Sequence, residues 1–260
     1  MPAGKTKMNF SGKDKTRLDK LLLERGYASS REQARAIILS GTVLVGDRMV
    51  DKAGTLVPVD AELRLKGEPN TYVGRGGLKL QGALKIFDIH VENRIVLDVG
   101  ASTGGFTDCL IQAGARKVYA LDVGYGQLAW KIRNDQRVVV IERTNIRYYD
   151  GSDIAEPIDM ATVDVSFISL KLVIPALLKL LRKSAVILAL IKPQFEVGRQ
   201  DVEKNGVVKN PHLHQRVIDD IRSFCLGLDL DILGVCESPI LGPAGNKEFF
   251  IYLKAPEGGR

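Results

Sequence analysis

The chain has 260 residues, 45% hydrophobic and 26% charged, with a mean hydropathy near zero; it is long enough to bury a substantial core without disulfide staples, and collagen-like or disordered classes are excluded. No apolar run approaches the roughly 18 to 20 residues a membrane span requires, and Met1 to Lys15 is basic and polar without an apolar segment for a signal peptide or anchor, so a cytoplasmic protein with no membrane partner is expected. The net charge of +6 is concentrated at one end, because residues 1–66 hold 13 Lys/Arg against 8 Asp/Glu, as a basic module for a polyanion joined to a nearly neutral domain would. Three cysteines, Cys109, Cys225 and Cys236, odd in number and without a close pair, fit a reducing compartment and argue against both a disulfide framework and a zinc site.

In chain order, Leu18, Leu21 and Leu22 stand at helical spacing and Gly26 follows where a C-terminal glycine belongs. A second helix is expected from a capping box of Ser29 and Glu32, with Ala34, Ile37 and Ile38 as its apolar face and Gly41 as its end. Arg31 and Arg35 then share one exposed face. Val43 to Val45 and Leu63 to Leu65, with a Gly46-Asp47 turn after the first, predict a small sheet packed on the helix pair. Residues 15–66 resemble the αL RNA-binding motif of small-subunit ribosomal proteins and many RNA-modifying enzymes, through Arg17-Leu18-Asp19, Ser30-Arg31, Ala34, Ile38 and Gly41-Thr-Val-Leu-Val-Gly46. The resemblance implies that Arg17, Arg31 and Arg35 contact RNA phosphates, reading shape more than sequence. The turn-rich stretch Lys66-Gly-Glu-Pro-Asn70 carries no apolar period, so the expected domains are an RNA-binding domain at 1–66, a linker at 67–78 and a second domain at 79–260.

From residue 79 onward, apolar runs at Ile95 to Val99, Lys117 to Leu121, Val138 to Ile141, Met160 to Val165, Ala185 to Ile191, Leu230 to Val235 and Phe249 to Leu253 alternate with helical patterns. This predicts an α/β domain with a mainly parallel, Rossmann-like sheet. The connection Glu237 to Asn246 has no helix, so the last strand should run antiparallel. At the end of the first run, Asp98-Val-Gly100-Ala101-Ser102-Thr103-Gly104-Gly105-Phe106 places glycines where backbone N–H groups approach a ligand closely. The spacing departs from Gly-x-Gly-x-x-Gly, which weakens a dinucleotide reading, and no Gly-Lys-Ser/Thr follows for a P-loop. Asp122, about 20 residues beyond, is placed to accept from ribose hydroxyls. The combination fits an adenosyl ligand without a pyrophosphate, S-adenosylmethionine being the candidate; Thr144 and Asn145 either approach its adenine or are polar loop residues.

The Asn/Asp-Pro-Pro-aromatic motif of base N-methyltransferases is absent after the fourth run, where the chain reads Val163-Asp-Val-Ser-Phe167. Lys192 leaves the apolar fifth run, a setting whose desolvation should lower an ammonium pKa and suit it to assist as a base. With Lys79 just before the domain's first helix and Glu248 opening the last strand, two lysines and two carboxylates can converge near the methyl donor. His212 and His214 are not expected to bind metal, and Tyr125 and Trp130 are expected in the core rather than at the adenine. Arg199 and Lys204 to Lys209 form a basic loop that either covers substrate RNA or is simply flexible.

Tyr72-Val-Gly-Arg-Gly-Gly-Leu-Lys79, Leu97-Asp-Val-Gly-Ala-Ser-Thr-Gly-Gly-Phe106, Asp164-Val-Ser-Phe-Ile-Ser169, Ile191-Lys-Pro-Gln-Phe-Glu196 and Gly245-Asn-Lys-Glu248 resemble the TlyA (hemolysin A) family, ribosomal RNA ribose methyltransferases related to the FtsJ type. The resemblance spans nearly the whole chain. It implies S-adenosylmethionine as cofactor, ribosomal RNA or ribosomal subunits as partner, and Lys79, Asp164, Lys192 and Glu248 as the catalytic tetrad. Asp98, Gly100 and Asp122 then fall on the cofactor site, together with the loop to Phe106 and with Asp164. The interdomain linker departs from the family, reading Asn70-Thr-Tyr-Val-Gly74 where relatives carry a tryptophan motif. Alternatives are a noncatalytic RNA-binding or ribosome-assembly protein and, from the older family name, a pore-forming haemolysin, for which no strongly amphipathic apolar helix speaks. No obligate protein partner is evident.

Overall fold

Apolar runs that alternate with helical periods have one economical packing, a parallel sheet covered by its own helices, and a computed structural model of the chain has this arrangement. The structure describes residues 14–28, 30–46, 48–65, 71–203, 206–242 and 245–257. The expectations at Ser29, Asp47, the 66–70 linker and Lys204 therefore lie outside the described residues. The chain divides into two compact units, residues 1–74 and 75–260.

In the first unit, β1 (Lys15–Arg17) runs directly into α1 (Leu18–Glu24), and α2 (Arg31–Leu39) is followed by β2 (Val43–Val45), β3 (Arg48–Met49), β4 (Leu56–Pro58) and β5 (Leu63–Leu65). Gly26 and Gly41 follow the two helices with φ of +74° and +69°, the left-handed geometry in which glycine carries no Cβ penalty. The N-cap of α2 is Ser30, whose Oγ accepts from the Gln33 N–H at 3.1 Å, one residue later than the box expected at Ser29. β2 lies between β3 and β5, all antiparallel, and β1 pairs with β4 in a second small sheet that the sequence pattern did not announce. Leu18, Leu22, Ile38, Val43 and Val57 are fully buried in one core.

The second unit begins with α3 (Gly76–Ile86), so Lys79 lies within the first helix and not before it. Then come β6 (Ile95–Val99), α4 (Gly105–Gln112), β7 (Lys117–Leu121), α5 (Trp130–Arg133), β8 (Val138–Ile141), β9 (Ile158–Val163) and α6 (Leu170–Leu178). β10 (Leu181–Ile191), α7 (Pro193–Glu196), α8 (Pro211–Leu226), β11 (Asp231–Glu237) and β12 (Phe249–Lys254) complete it. Seven strands form one sheet in the order β11-β12-β10-β9-β6-β7-β8. β12 runs antiparallel to both neighbours, while β10, β9, β6, β7 and β8 are mutually parallel.

Side chains alternate across the sheet. Phe249, Ile251 and Leu253 of β12 join the core formed with α6 and α8, whereas Phe250 meets Phe106 of α4, ring centroids 6.1 Å apart. The chain leaves β6 toward β7 and β8 on one side and later returns to β9 and β10 on the other. The carboxyl ends of β6 and β9 therefore flank the topological switch point, where open α/β sheets bind ligands. No helix among the described residues is long and apolar enough to cross a membrane.

Candidate active site

The cleft at the switch point encloses about 140 Å³ and is lined by Gly76, the Gly100–Phe106 loop and Asp164, several times the roughly 30 Å³ of a water molecule. Its shape depends on missing side chains. Gly100 has φ +88°, and a Cβ there would stand 2.5 Å from the Asp164 carbonyl oxygen; at Gly104, φ +94°, it would stand 2.9 Å from Leu128. The loop folds back so that the Gly100 N–H donates to Leu121 O at 2.8 Å, and α4 begins at Gly105. Asp122 secures it, accepting from the Ser102 N–H at 2.8 Å and the Gly124 N–H at 2.7 Å. A carboxylate beside exposed loop amides, with glycine backbone facing the cavity, suits the polar groups of an adenosyl ligand with no pyrophosphate.

Beneath the loop Asp98 is wholly buried on β6, accepting from Thr107 Oγ1 at 2.6 Å and Thr162 Oγ1 at 2.9 Å. Burial pushes its carboxyl up to about 7 against these two bonds, and the charges of Asp164 and Asp122 push the same way. Thr107 and Thr162 carried no signal in the sequence, since only the β6–β9 pairing and the start of α4 bring them to Asp98.

Two lysine–carboxylate pairs stand at this end of the sheet, one buried and one partly buried. Lys79 Nζ donates to Glu248 Oε2 at 2.6 Å, joining α3 to the residue before β12. Glu248 is fully buried, its Oε1 has no hydrogen-bond partner among the described residues, and a Cβ at Gly242 would collide with that oxygen. Lys192 Nζ lies 2.6 Å from Asp164 Oδ1, a close ion pair without hydrogen-bond alignment, and donates to Ser166 Oγ at 3.0 Å. The desolvation expected for Lys192 is thus accompanied by a carboxylate. A Cβ on Gly76, one turn before Lys79, would lie 3.9 Å from Asp164 Oδ2, so the start of α3 abuts the second pair.

Ser166 and the aromatic residues beside it escaped sequence reasoning. Phe167 is 89% exposed, has φ +64°, and packs on Phe195 at 4.9 Å between ring centroids. A large apolar side chain held outward on left-handed backbone is a structural signal that hydropathy cannot supply. Glu196 accepts from Ser169, the N-cap of α6, and from the Leu170 N–H, and its carboxyl is raised by burial against these bonds and the charge of Lys171.

The remaining candidates are placed less centrally. The Thr144 N–H donates to Asp122 O at 3.0 Å and its hydroxyl to Glu142 O at 3.0 Å. Asn145 Oδ1 accepts from the Arg147 N–H, capping a short 3₁₀ turn. Tyr125 and Trp130, expected in the core, are instead 67% and 73% exposed, with the Arg143 guanidinium 4.1 Å over the Tyr125 ring. Both lie beyond the carboxyl end of β7, where the chain leaves the sheet. His214 is buried and donates from Nε2 to Val208 O at 2.7 Å.

In the first unit, Arg17, Arg31 and Arg35 gather around one carboxylate. Arg17 bonds Asp19 through Nε at 3.0 Å and Nη2 at 2.9 Å, while Arg31 and Arg35 lie 3.6 and 3.5 Å from Asp19 Oδ2. The Arg17 fork holds the Asp19 carboxyl down at about 2 although the side chain is buried. Three half-exposed guanidiniums on one carboxylate keep a surplus of positive charge, and Asp19, singled out in the sequence only as part of the Arg17-Leu18-Asp19 motif, limits their mutual repulsion.

Comparison with known proteins gives two family matches, an FtsJ-like methyltransferase over residues 72–255 and an S4 domain over residues 16–63. The chain is 44% identical over 241 residues to the 16S/23S rRNA (cytidine-2′-O)-methyltransferase TlyA of Mycobacterium tuberculosis, covering 92% of this chain and 90% of that one. It is 41% identical over 240 residues to Hemolysin A of Brachyspira hyodysenteriae, covering 91% and 99%. The solved structure of a hemolysin from Streptococcus thermophilus matches with a TM-score of 0.75 at 43% identity, over 94% of this chain and 90% of that one. An S-adenosylmethionine dependent methyltransferase from Listeria monocytogenes shares the fold, with a TM-score of 0.52 at 16% identity over 70% of this chain and 99% of that one.

Proposed function

The chain belongs to the FtsJ-like methyltransferase family, and from that premise we propose that it methylates a ribose 2′-hydroxyl of ribosomal RNA in the cytoplasm, as the name of its Mycobacterium relative suggests. Its cofactor is S-adenosyl-L-methionine, and the glycine-walled cleft fits it, with Asp122 and the Gly100–Phe106 backbone as the groups that would hold it and Asp98 supporting that loop from beneath. The observation carrying the proposal is the pair of lysine–carboxylate contacts, partly buried Lys192–Asp164 and buried Lys79–Glu248, beside that cleft. No Asn-Pro-Pro-aromatic stretch accompanies them, which favours a hydroxyl over a base amine as acceptor.

Bound S-adenosylmethionine supplies a sulfonium-activated methyl group, which leaves the protein to place the acceptor oxygen in line and to give its proton a destination. Lys192 takes or guides that proton, with Asp164 orienting the lysine and Ser166 helping to fix its direction. Lys79 and the buried Glu248 carboxylate hold each other in place and would keep ribose and lysine in register. In residues 1–66, which we take as the RNA-binding domain, Arg17, Arg31 and Arg35 bind phosphates; residues 79–260 are the transferase domain.

The test is transfer of labelled methyl from S-adenosylmethionine to ribosomal subunits and to extracted ribosomal RNA, followed by digestion to nucleosides. Label in 2′-O-methyl nucleosides is expected. Label on a base, or an unlabelled RNA despite intact cofactor binding, overturns the ribose reading.

A further inference from the structure

We infer, resting on the ribose-methylating reading above, that Glu196 is a positioning residue for methyl transfer: it ties the loop carrying Asp164 to the turn carrying Lys192, so that the pair meets the acceptor in one fixed arrangement.

The two segments leave the adjacent parallel strands β9 and β10 and meet in three successive tiers. In the first, Lys192 Nζ contacts Asp164 at 2.6 Å and donates to Ser166 Oγ at 3.0 Å. Phe167 and Phe195 pack together in the second, centroids 4.9 Å apart. In the third, Glu196 Oε2 accepts from Ser169 Oγ at 2.6 Å and Oε1 accepts from the Leu170 N–H at 2.8 Å. Only the first tier reaches the reacting groups, yet it cannot hold the loop alone. Phe167 sits at φ +64°, a left-handed backbone that L-residues disfavour, and with 89% of its surface exposed burial offsets little of that strain. The third tier has what the loop lacks: two charge-assisted hydrogen bonds on a partly desolvated carboxylate, made to the N-cap and the first residue of a nine-residue helix, α6, whose N-terminus favours negative charge. Lys192 is the N-cap of α7 and Glu196 its last residue, so one short turn carries both ends of the clasp.

The experiment compares wild type, Glu196→Ala, Glu196→Gln and Ser169→Ala in methyl transfer to ribosomal RNA, measuring kcat, KM for RNA and, by calorimetry, the Kd for S-adenosylmethionine. Loosening the loop should lower kcat in Glu196→Ala by about tenfold to a hundredfold, the size of effect that a small misplacement of reacting groups produces, with KM and Kd unchanged. Glu196→Gln can still accept from Leu170 and donate to Ser169, so it restores most of kcat, whereas Ser169→Ala, which cuts one of the two ties together with the Ser169 cap on the Lys171 N–H, gives a smaller loss. An unchanged kcat in Glu196→Ala overturns the inference, as does a defect confined to KM or Kd or a failure of Glu196→Gln to recover activity. If Glu196→Ala does not fold, Ser169→Ala decides: a lowered kcat supports the clasp and wild-type kcat overturns it. A wild-type protein that labels no ribose removes the functional reading, and this inference with it; ribose labelling with unaltered variants removes this inference alone.

Discussion

Asp98 shows how one buried carboxylate sets a measurable dependence on pH. Its ordinary value of 3.8 is raised to about 7 by burial, so between about pH 4 and 7 the folded state binds a proton that the unfolded chain has released. Stability from this group is complete below the unfolded value and is lost as the pH rises through the folded one. We expect the thermal midpoint of the wild type to fall across that window by a component that Asp98→Asn lacks; parallel pH profiles in calorimetry would refute the assignment. Lys192 is tested differently. Lys192→Ala should reduce transfer by about 10² to 10⁴-fold, the usual contribution of a positioned proton acceptor, with S-adenosylmethionine affinity unchanged by titration calorimetry. Neither residue announces its neighbours in the sequence: Asp98 is 64 positions from Thr162, and Lys192 is 26 from Ser166.

At the scale of the element, the site is shaped by the turns at the strand ends. The turn after β6 brings Gly100 to φ +88° with the Asp164 carbonyl 2.5 Å from where a Cβ would stand, and a clash with backbone has no flexible side chain to relieve it. Gly100→Ala should therefore weaken cofactor binding and lower the melting temperature together; a variant with wild-type Kd would show that β6 and β9 can part at no cost. In the first unit, Ser30 supplies the cap of α2, and Ser30→Ala should cost roughly 0.5–2 kcal/mol of that unit's stability by denaturant titration. The glycine loop, both glycine helix ends and the antiparallel last strand were legible, because each rests on local φ preference, helix period or connection length. The shift of the α2 cap from Ser29 to Ser30 and the start of α3 at Gly76 were not, since neighbouring polar or glycine residues offer equivalent local geometry and packing selects among them.

For the whole molecule the charge is uneven, with residues 1–66 carrying +5 of the +6, and the proposed phosphate binding by that end can be tested through its arginines. The double variant Arg31→Ala/Arg35→Ala should weaken RNA binding and flatten its logarithmic salt dependence by about 1.4 to 1.8, two phosphate contacts at about 0.7 to 0.9 each, while S-adenosylmethionine affinity stays at the wild-type value. An unchanged salt slope would place the phosphate contacts elsewhere. By itself the sequence determined the α/β class, the basic character of the first quarter and the glycine loop, since these follow from periodicity, composition and motif spacing along one chain, whereas Lys79, Asp164, Lys192 and Glu248 were proposed as a set through resemblance to a family. Only the tertiary structure decided how the charges pair. Lys79 finds Glu248 across 169 residues and Arg17, Arg31 and Arg35 share Asp19, because strand order and helix packing bring distant positions within a few ångströms, where desolvation makes a charge seek its counterion.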